Sequence, residues 1–201
     1  MLNAETPRLK FALYGAHSSL GNALLCELLT RQHEVVTLVD DLNSMTVRPG
    51  LRAKPGDLFD AISVSQSVAG MDGVICLFDS PSVPTSDNSS GHPHDFYQAM
   101  DALLVGLPKV GVERLLLVAD FTTHGEEPPV AAALQRLAEH PLGWTLVDAE
   151  TDGEDLSIEE FSNLEGLTAD DRRVQLRRIA AGMVDELESP QHLHQQIHFR
   201  F

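Results

Sequence analysis

A short apolar run, a glycine-bounded turn and a helical pattern near the start of this chain constrain its fold most. Residues 11–14 are flanked by turn formers and are too few for a helix, which predicts a strand buried on both faces. Leu20, Leu24 and Leu28 then recur at helical spacing and predict a helix packed on that strand. A strand, a tight turn and a helix N-terminus together place backbone N–H groups and a helix dipole where a pyrophosphate binds.

A second strand, predicted over residues 34–39, supports the same interpretation. It ends at Asp40, about 20 residues after Gly21, where a dinucleotide-binding fold places the acid that hydrogen-bonds the adenosine ribose.

The glycine pattern of the turn departs from the usual one at its middle position. Ser18 stands where a nucleotide-binding turn carries the glycine that lets a phosphate approach the backbone. Two interpretations therefore stay open. Either the turn is a working nucleotide site that tolerates serine, or the fold is retained and the site no longer binds a nucleotide.

Composition narrows the class of protein. With 201 residues and 43% hydrophobic content, the chain suffices for one core, and we expect a single domain over 1–201. No apolar run reaches membrane-spanning length and no signal peptide is apparent, so we expect a cytoplasmic protein without a membrane partner. Cys26 and Cys76 lie in apolar patterns that predict small buried hydrophobes, with neither a disulfide nor a metal site.

The formal net charge of −16 repels polyanions and argues against nucleic acid as a partner. Four arginines nevertheless cluster near the C-terminus: Arg172, Arg173, Arg177 and Arg178. They form either an anion site or, as we favour, the counter-charges of nearby acids. Those acids are Asp170, Asp171, Glu186 and Glu188.

Strands and helices alternate along the rest of the chain. Further strands are predicted over 51–55, 71–78, 113–119 and 143–148, and a terminal one over 193–201. Helices are predicted to end at Gly70, near Pro108 to Gly111, and near Glu188, and another opens at Pro128. Segment 79–94 has the composition of a polar loop, whereas 149–166 is acidic and weakly patterned. Such alternation requires right-handed crossovers and predicts an α/β, Rossmann-like, doubly wound, mostly parallel sheet in a three-layer arrangement.

The order of these landmarks resembles the atypical short-chain dehydrogenases, and within them the NmrA-like, NADH-flavin reductase-like group of NAD(P)-binding proteins. The resemblance rests on Gly15-Ala16…Gly21, Gly56-Asp57, the strand ending at Phe78, and segments 110–118, 144–147 and 183–190. It extends from residue 10 to residue 190. It implies a Rossmann domain that binds NAD(P) across the carboxyl ends of its strands, with 149–201 as a family-specific C-terminal part packed on it.

The resemblance also implies a set of cofactor-binding residues. Those that would hold the pyrophosphate are Gly15, His17, Ser18, Ser19, Leu20 and Gly21. Asp57 and Leu58 would contact the adenine, and Phe78 and Asp79 the middle of the cofactor. Asp40 stands where NADP-preferring relatives tend to carry arginine. A carboxylate there repels a 2′-phosphate, so NAD is favoured over NADP.

No catalytic residue is assigned from the sequence. Short-chain dehydrogenases use a Tyr-x-x-x-Lys pair, whereas Tyr14 lies in a strand and Tyr97 is followed by Asp101. Loop histidines are candidate proton donors or simply solvated side chains: His92, His94 and His124. Three C-terminal histidines share one face of an extended strand without a completing ligand, which argues against a metal: His192, His194 and His198.

Two functions are compatible with these residues. The first is hydride transfer from a nicotinamide to a small acceptor such as a flavin or quinone. The alternative is an inactive Rossmann-fold protein, without a cofactor, that acts as a redox sensor or regulatory protein partner. Ser18, Asp79 and the acidic segment 148–160 favour the alternative, whereas Asp40 and the order of landmarks favour the enzyme.

Overall fold

The structure, a computed structural model, describes residues 8–39, 41–44, 48–78, 95–149, 156–163, 168 and 171–199. The strands are β1 Lys10–Tyr14, β2 Glu34–Val39, β3 Leu51–Pro55, β4 Gly73–Leu77, β5 Arg114–Ala119, β6 Gly143–Asp148 and β7 Gln195–His198. The helices are α1 Ser19–Thr30, α2 Ala61–Val68, α3 Phe96–Lys109, α4 Phe121–His124, α5 Pro128–Ala138, α6 Ile158–Ser162 and α7 Arg172–Glu188. A 3₁₀ turn covers Leu42–Ser44.

The strands form one parallel sheet in the order β3-β2-β1-β4-β5-β6-β7. The chain winds outward from β1 to β3, crosses the sheet and continues outward from β4. The crevice between the carboxyl ends of β1 and β4 is therefore the topological switch point, where ligands bind in this class of fold.

Helices cover both faces of the sheet. One buried apolar cluster joins a face of the sheet to α2, α3 and α5, and a second joins the opposite face to α1, α6 and α7. The central strand β4 is fully buried along its length, as expected for a strand covered on both faces. The predicted doubly wound, three-layer α/β fold is confirmed.

Most predicted elements are present with small changes of boundary. Strands β2 and β6 match their predicted bounds, and α3 ends at Lys109, one residue after Pro108. Helices α4 and α6 were not predicted, because four or five residues are too few to show a helical period. The predicted loop 79–94 lies outside the described residues.

The segment that leads into the C-terminal strand is anchored by Glu186. This carboxylate is buried and accepts hydrogen bonds from Arg114 Nη2 at 3.2 Å, His192 N at 3.0 Å and His192 Nδ1 at 2.8 Å. Burial alone raises the pKa of Glu186, but these bonds, that from Gln191 and the Arg114 charge outweigh it and hold the pKa below its usual value. Glu186 therefore ties α7 to β5 and to the segment that leads into β7.

The interpretation of the C-terminal arginines was only partly right. Arg173 pairs with Asp171 at 2.7 Å, as expected. Glu186 instead pairs with Arg114, and Glu188 with Arg31 at 2.8 Å. These two acids lie on the side of α7 that faces α1 and the sheet, so their partners come from other elements. Asp170 lies outside the described residues.

Cys76 is fully buried in β4, as the apolar pattern predicts, whereas Cys26 in α1 is only partly buried. None of the described helices is long and apolar enough to cross a membrane.

Candidate functional site

The turn after β1 requires glycine at its first position. Gly15 has a φ of +81°, a region that L side chains rarely adopt, and a Cβ there would lie 2.4 Å from the carbonyl oxygen of Leu77. Leu77 ends β4, so the backbones of β1 and β4 meet at the switch point with no room for a side chain between them.

Gly21 has a different role, in the first turn of α1. A Cβ at this position would lie 2.4 Å from the carbonyl oxygen of Gly15. The helix N-terminus is thereby packed directly on the turn, which is the close approach that the last glycine of a dinucleotide motif permits.

Ser18 caps α1. Its φ of −69° lies in a region open to any residue, so serine causes no backbone strain here. Its hydroxyl accepts the N–H of Gly21 at 3.1 Å and donates to the carbonyl oxygen of Gly15 at 3.0 Å. The side chain is therefore engaged within the turn. It occupies the Gly21 N–H, which could otherwise donate a hydrogen bond to a phosphate.

The other three turn residues differ in exposure. His17 is exposed. Ser19 is buried and accepts the N–H of Leu156 at 2.8 Å through its hydroxyl, and Leu20 is buried in the core. Because the side chains of Ser19 and Leu20 are used inside the protein, only their backbone groups are suited to hold a phosphate.

The remaining predicted contacts lie at the carboxyl ends of β3 and β4. Asp57 is exposed and accepts a hydrogen bond from the N–H of Phe59 at 2.8 Å. Leu58 packs against the core. The ring of Phe78 lies edge-on to that of Phe96, with the two ring centroids 4.9 Å apart. The structure thus brings Gly15–Gly21, Asp57, Leu58 and Phe78 to one edge of the sheet. Asp40 and Asp79 lie outside the described residues.

The two tyrosines have other environments. Tyr14 is buried, and burial, together with Cys76 and Asp57, raises the pKa of its phenol. Its hydroxyl has no hydrogen-bond partner in the part of the chain that the structure describes. The Tyr97 hydroxyl accepts a hydrogen bond from Arg136 at 3.2 Å. Neither lies in a Tyr-x-x-x-Lys arrangement.

A cavity of about 410 Å³ lies along the same edge, at the carboxyl ends of β5, β6 and β7. Its polar walls include Asp120, Thr122, Asp148 and His198, and α7 closes it with Arg172 and Leu176 among others. This site was not predicted from the sequence, although Asp120 and Asp148 stand where two apolar strands end, which is the signal that points to it.

A carboxylate and an imidazole pair at this cavity. Asp148, whose side chain is 6% exposed, lies 2.8 Å through Oδ2 from Nδ1 of His198, whose side chain is 45% exposed. Thr122 donates its N–H to Oδ1 at 3.2 Å and its hydroxyl to Oδ2. Hydrogen bonds from the side chain and amide of Thr123 hold the pKa of the neighbouring Asp120 below its usual value. The cavity thus carries two carboxylates beside one imidazole and Arg172.

Three other histidines of the described residues have separate partners. His192 pairs with Glu186, His194 Nε2 lies 2.9 Å from the carbonyl oxygen of Leu142, and His124 Nδ1 lies 2.6 Å from Glu127. Among the described residues no group of three or more histidines, cysteines or acids is placed to hold a metal ion.

A slightly larger cavity, about 440 Å³, lies at the opposite edge of the sheet. It is lined by residues at the amino ends of β1, β2 and β3, such as Lys10, Glu34 and Leu51. Ligands of open α/β sheets bind at the carboxyl ends, so its size does not make it the dinucleotide site.

The turn fits a dinucleotide on structural grounds. Within the turn, a Cβ would collide with backbone at Gly15 and Gly21, which are the first and last glycine positions of the motif, and α1 directs its N-terminus at the switch point. A family model described as NAD(P)H-binding matches residues 15–190. The chain belongs to this NAD(P)H-binding family. Nicotinamide dinucleotides are therefore its cofactor class, and the resemblance to NAD(P)-binding, oxidoreductase-like proteins is confirmed.

Solved structures share the fold of this NAD(P)H-binding protein. A candidate epimerase from Bacteroides thetaiotaomicron is 23% identical, with a TM-score of 0.65 and 96% of each chain covered. A candidate NADH-flavin reductase from Streptococcus pneumoniae TIGR4 is 23% identical, with a TM-score of 0.58 and coverage of 94% of this chain and 98% of the other. The Bordetella bronchiseptica enzyme WbmH, in complex with NAD+, is 15% identical, with a TM-score of 0.65 and coverage of 96% and 76%. No curated protein sequence matches the chain.

Proposed function

We propose that this protein is an NADH-dependent reductase that transfers hydride from the nicotinamide to a small acceptor such as a flavin or quinone. The observation that carries the proposal is the Gly15–Gly21 turn at the switch point between β1 and β4. Bound nicotinamide supplies the hydride. The chain's own part is to hold the pyrophosphate on backbone N–H groups at the start of α1 and to position the acceptor.

The preference for NADH over NADPH is assigned to Asp40. In a dinucleotide fold the acid after the second strand accepts from the ribose 2′-hydroxyl and repels a 2′-phosphate. The net charge of −16 acts in the same direction, because it opposes each added phosphate unless a local cation offsets it.

The acceptor is assigned to the cavity between β5, β6, β7 and α7. A dinucleotide held at the switch point extends one half toward β2 and β3 and the other toward β4 and β5. The cavity begins at β5, the strand next to β4. Because adjacent strands lie about 4.8 Å apart, it is close to the switch point. An acceptor bound there adjoins the nicotinamide half.

One observation favours the second candidate, a protein that keeps the fold and acts as a regulatory partner without turnover. Ser18 takes the Gly21 N–H that a phosphate would otherwise receive, and it adds a side chain where the usual motif has none. The two functions differ in whether a nucleotide binds at all.

Thermal unfolding with NAD, NADH, NADP and NADPH tests the proposal. A ligand at 100 times its Kd stabilises the folded state by about 2.7 kcal/mol, which raises Tm by roughly 5–10 °C for a chain of this size. We expect this shift with NADH and a smaller one or none with NADPH. The matched variant Asp40→Arg should gain the shift with NADPH.

No shift with any of the four nucleotides at millimolar concentration would exclude the reductase and leave the regulatory protein. Equal shifts with NADH and NADPH, unchanged in Asp40→Arg, would contradict the assigned role of Asp40 alone. A shift without reduction of flavin or quinone would contradict the reductase while leaving the nucleotide site in place.

A further inference from the structure

His198 is built into the cavity by contacts from two other elements. It ends β7, beside Asp148 at the end of β6, and the register of the two strands places these residues directly opposite each other. Thr122 of α4 holds both carboxylate oxygens of Asp148. The carboxylate is therefore fixed and almost fully buried, whereas the imidazole that it orients is half exposed at the cavity wall.

This arrangement determines which ring nitrogen is available. Nδ1 of His198 lies 2.8 Å from Oδ2 of Asp148, an ion-pair contact, and Nε2 is therefore the ring nitrogen left for a ligand. Nε2 has no hydrogen-bond partner within the described residues. In the protonated ring Nε2 carries the second hydrogen, and a carboxylate that orients the ring from Nδ1 is the usual means of positioning such a proton for transfer.

The charge of the cavity limits its ligand. Two carboxylates line the cavity, those of Asp120 and Asp148. Arg172 is the one arginine or lysine among its described lining residues. The protein as a whole carries a net charge of −16. A second phosphate-bearing ligand beside an anionic dinucleotide is disfavoured here, whereas an uncharged ligand with a hydrogen-bond-accepting oxygen suits the Nε2–H group.

We propose that this cavity binds an uncharged, carbonyl-bearing acceptor of the quinone type, and that His198 donates a proton to its oxygen. Asp148 and Thr122 are positioning residues. The inference rests on the proposed reductase function and specifies the acceptor class and the proton donor of that site.

The reaction balances with one hydride and one proton. A quinone that gains both becomes the hydroquinone, the reduced nicotinamide becomes oxidised by loss of the hydride, and the imidazolium loses its Nε2 proton to the quinone oxygen. Water returns a proton to Nε2 before the next turnover. No further oxidant or reductant is needed.

The test uses menadione, an uncharged quinone, and FMN, which carries a phosphate. We expect the NADH-dependent rate with menadione to exceed that with FMN, and His198→Gln to lower kcat for menadione roughly 10²-fold with KM little changed. Asp148→Asn should lower kcat in the same direction. Added imidazole should restore part of the activity of His198→Ala, which a purely structural role would not produce.

His192→Gln is the matched control. His192 also offers Nδ1 to a buried carboxylate at 2.8 Å, but it lies before β7 and does not line the cavity. We expect this variant to retain kcat. Thermal unfolding of each variant with and without NADH shows whether it is folded and still binds the nucleotide.

A binding measurement without nucleotide completes the test. Menadione added to the free protein should shift the imidazole NMR signals of His198 and leave those of His192 unchanged. The inference would be overturned if His198→Gln bound the nucleotide and kept the wild-type kcat. It would also be overturned if menadione bound without moving the His198 signals. Both outcomes would leave the reductase intact. If the wild-type protein bound no nucleotide, the proposed reductase function itself would be overturned.

Discussion

The hydroxyl oxygen of Ser18 lies 3.1 Å from the backbone nitrogen of Gly21, inside the turn that faces the switch point of the sheet. Serine at the middle position of this turn therefore acts as the N-cap of α1. The cap stabilises the helix and at the same time occupies an N–H group that is suited to a phosphate. Stability of the helix and affinity for a nucleotide are thus in competition at one residue.

Ser18→Gly should tighten NADH binding by about tenfold, because it releases the Gly21 N–H for a charged acceptor and removes the side chain. The loss of stability should be only a few tenths of a kcal/mol, the usual cost of glycine at an N-cap. Titration calorimetry gives the Kd. Ser18→Ala is the control, since it releases the same N–H but keeps Cβ, and weaker binding by Ser18→Gly than by wild type would contradict the argument.

Gly15→Ala should lower the free energy of unfolding by about 1–3 kcal/mol more than Gly111→Ala. Gly111 also has a positive φ, +71°, but a Cβ there would meet nothing within 4 Å. The difference between the two variants therefore measures the collision with Leu77 alone. Urea unfolding of both proteins decides the point, and equal losses would show that the turn relaxes away from β4.

Glu186→Gln should reduce stability at pH 7 by about 2–3 kcal/mol, since it leaves Arg114 without its charged partner. The pKa of Glu186 is lowered in the folded state. Its stabilising effect is therefore fully present above the unfolded-state value of 4.5 and is lost as the pH falls through the lower folded value.

The difference in unfolding free energy between the Glu186→Gln variant and wild type should accordingly shrink as the pH is lowered from 5 to values below the unfolded-state pKa of 4.5. The surface variant Glu113→Gln should change stability little at either pH. A difference that stays constant down to acid pH would refute the assigned role of the Glu186 charge.

Tyr14→Phe should stabilise the protein by roughly 1 kcal/mol, or about 2–4 °C in Tm. The Tyr14 hydroxyl is buried without a hydrogen-bond partner in the described residues, and removing such a group recovers its desolvation cost. Tyr97→Phe is the matched control, because that hydroxyl accepts a bond from Arg136 and its removal should bring no gain. A lower Tm for Tyr14→Phe would show that the hydroxyl has a partner after all.

Local patterns were enough to predict the sheet and the turn at its centre. Strands β2 and β6 match their predicted bounds because each is a continuous apolar run of strand length, and burial on both faces produces such a run. The glycine spacing around residues 15–21 likewise reflects a local requirement, the approach of one helix to one strand.

The partners of polar side chains could not be predicted in the same way. Glu186 was assigned to nearby arginines of its own helix, and the structure pairs it with Arg114 of β5. His198 was considered with two neighbouring histidines, and the structure pairs it with Asp148. For Glu186 the partner that is near in sequence was the wrong one, and for His198 no partner was predicted, because the fold brings together residues that are distant in sequence.

The sequence by itself determined the doubly wound fold, the glycine turn and the family to which the chain belongs, since hydrophobic period and glycine position are set by neighbours along the chain. Only the tertiary structure decided that Glu186 pairs with Arg114 and that Asp148, His198 and Thr122 meet at one cavity. Hydrogen bonds between side chains depend on distances of a few ångströms across separate elements, and those distances exist only once the sheet and its helices have packed.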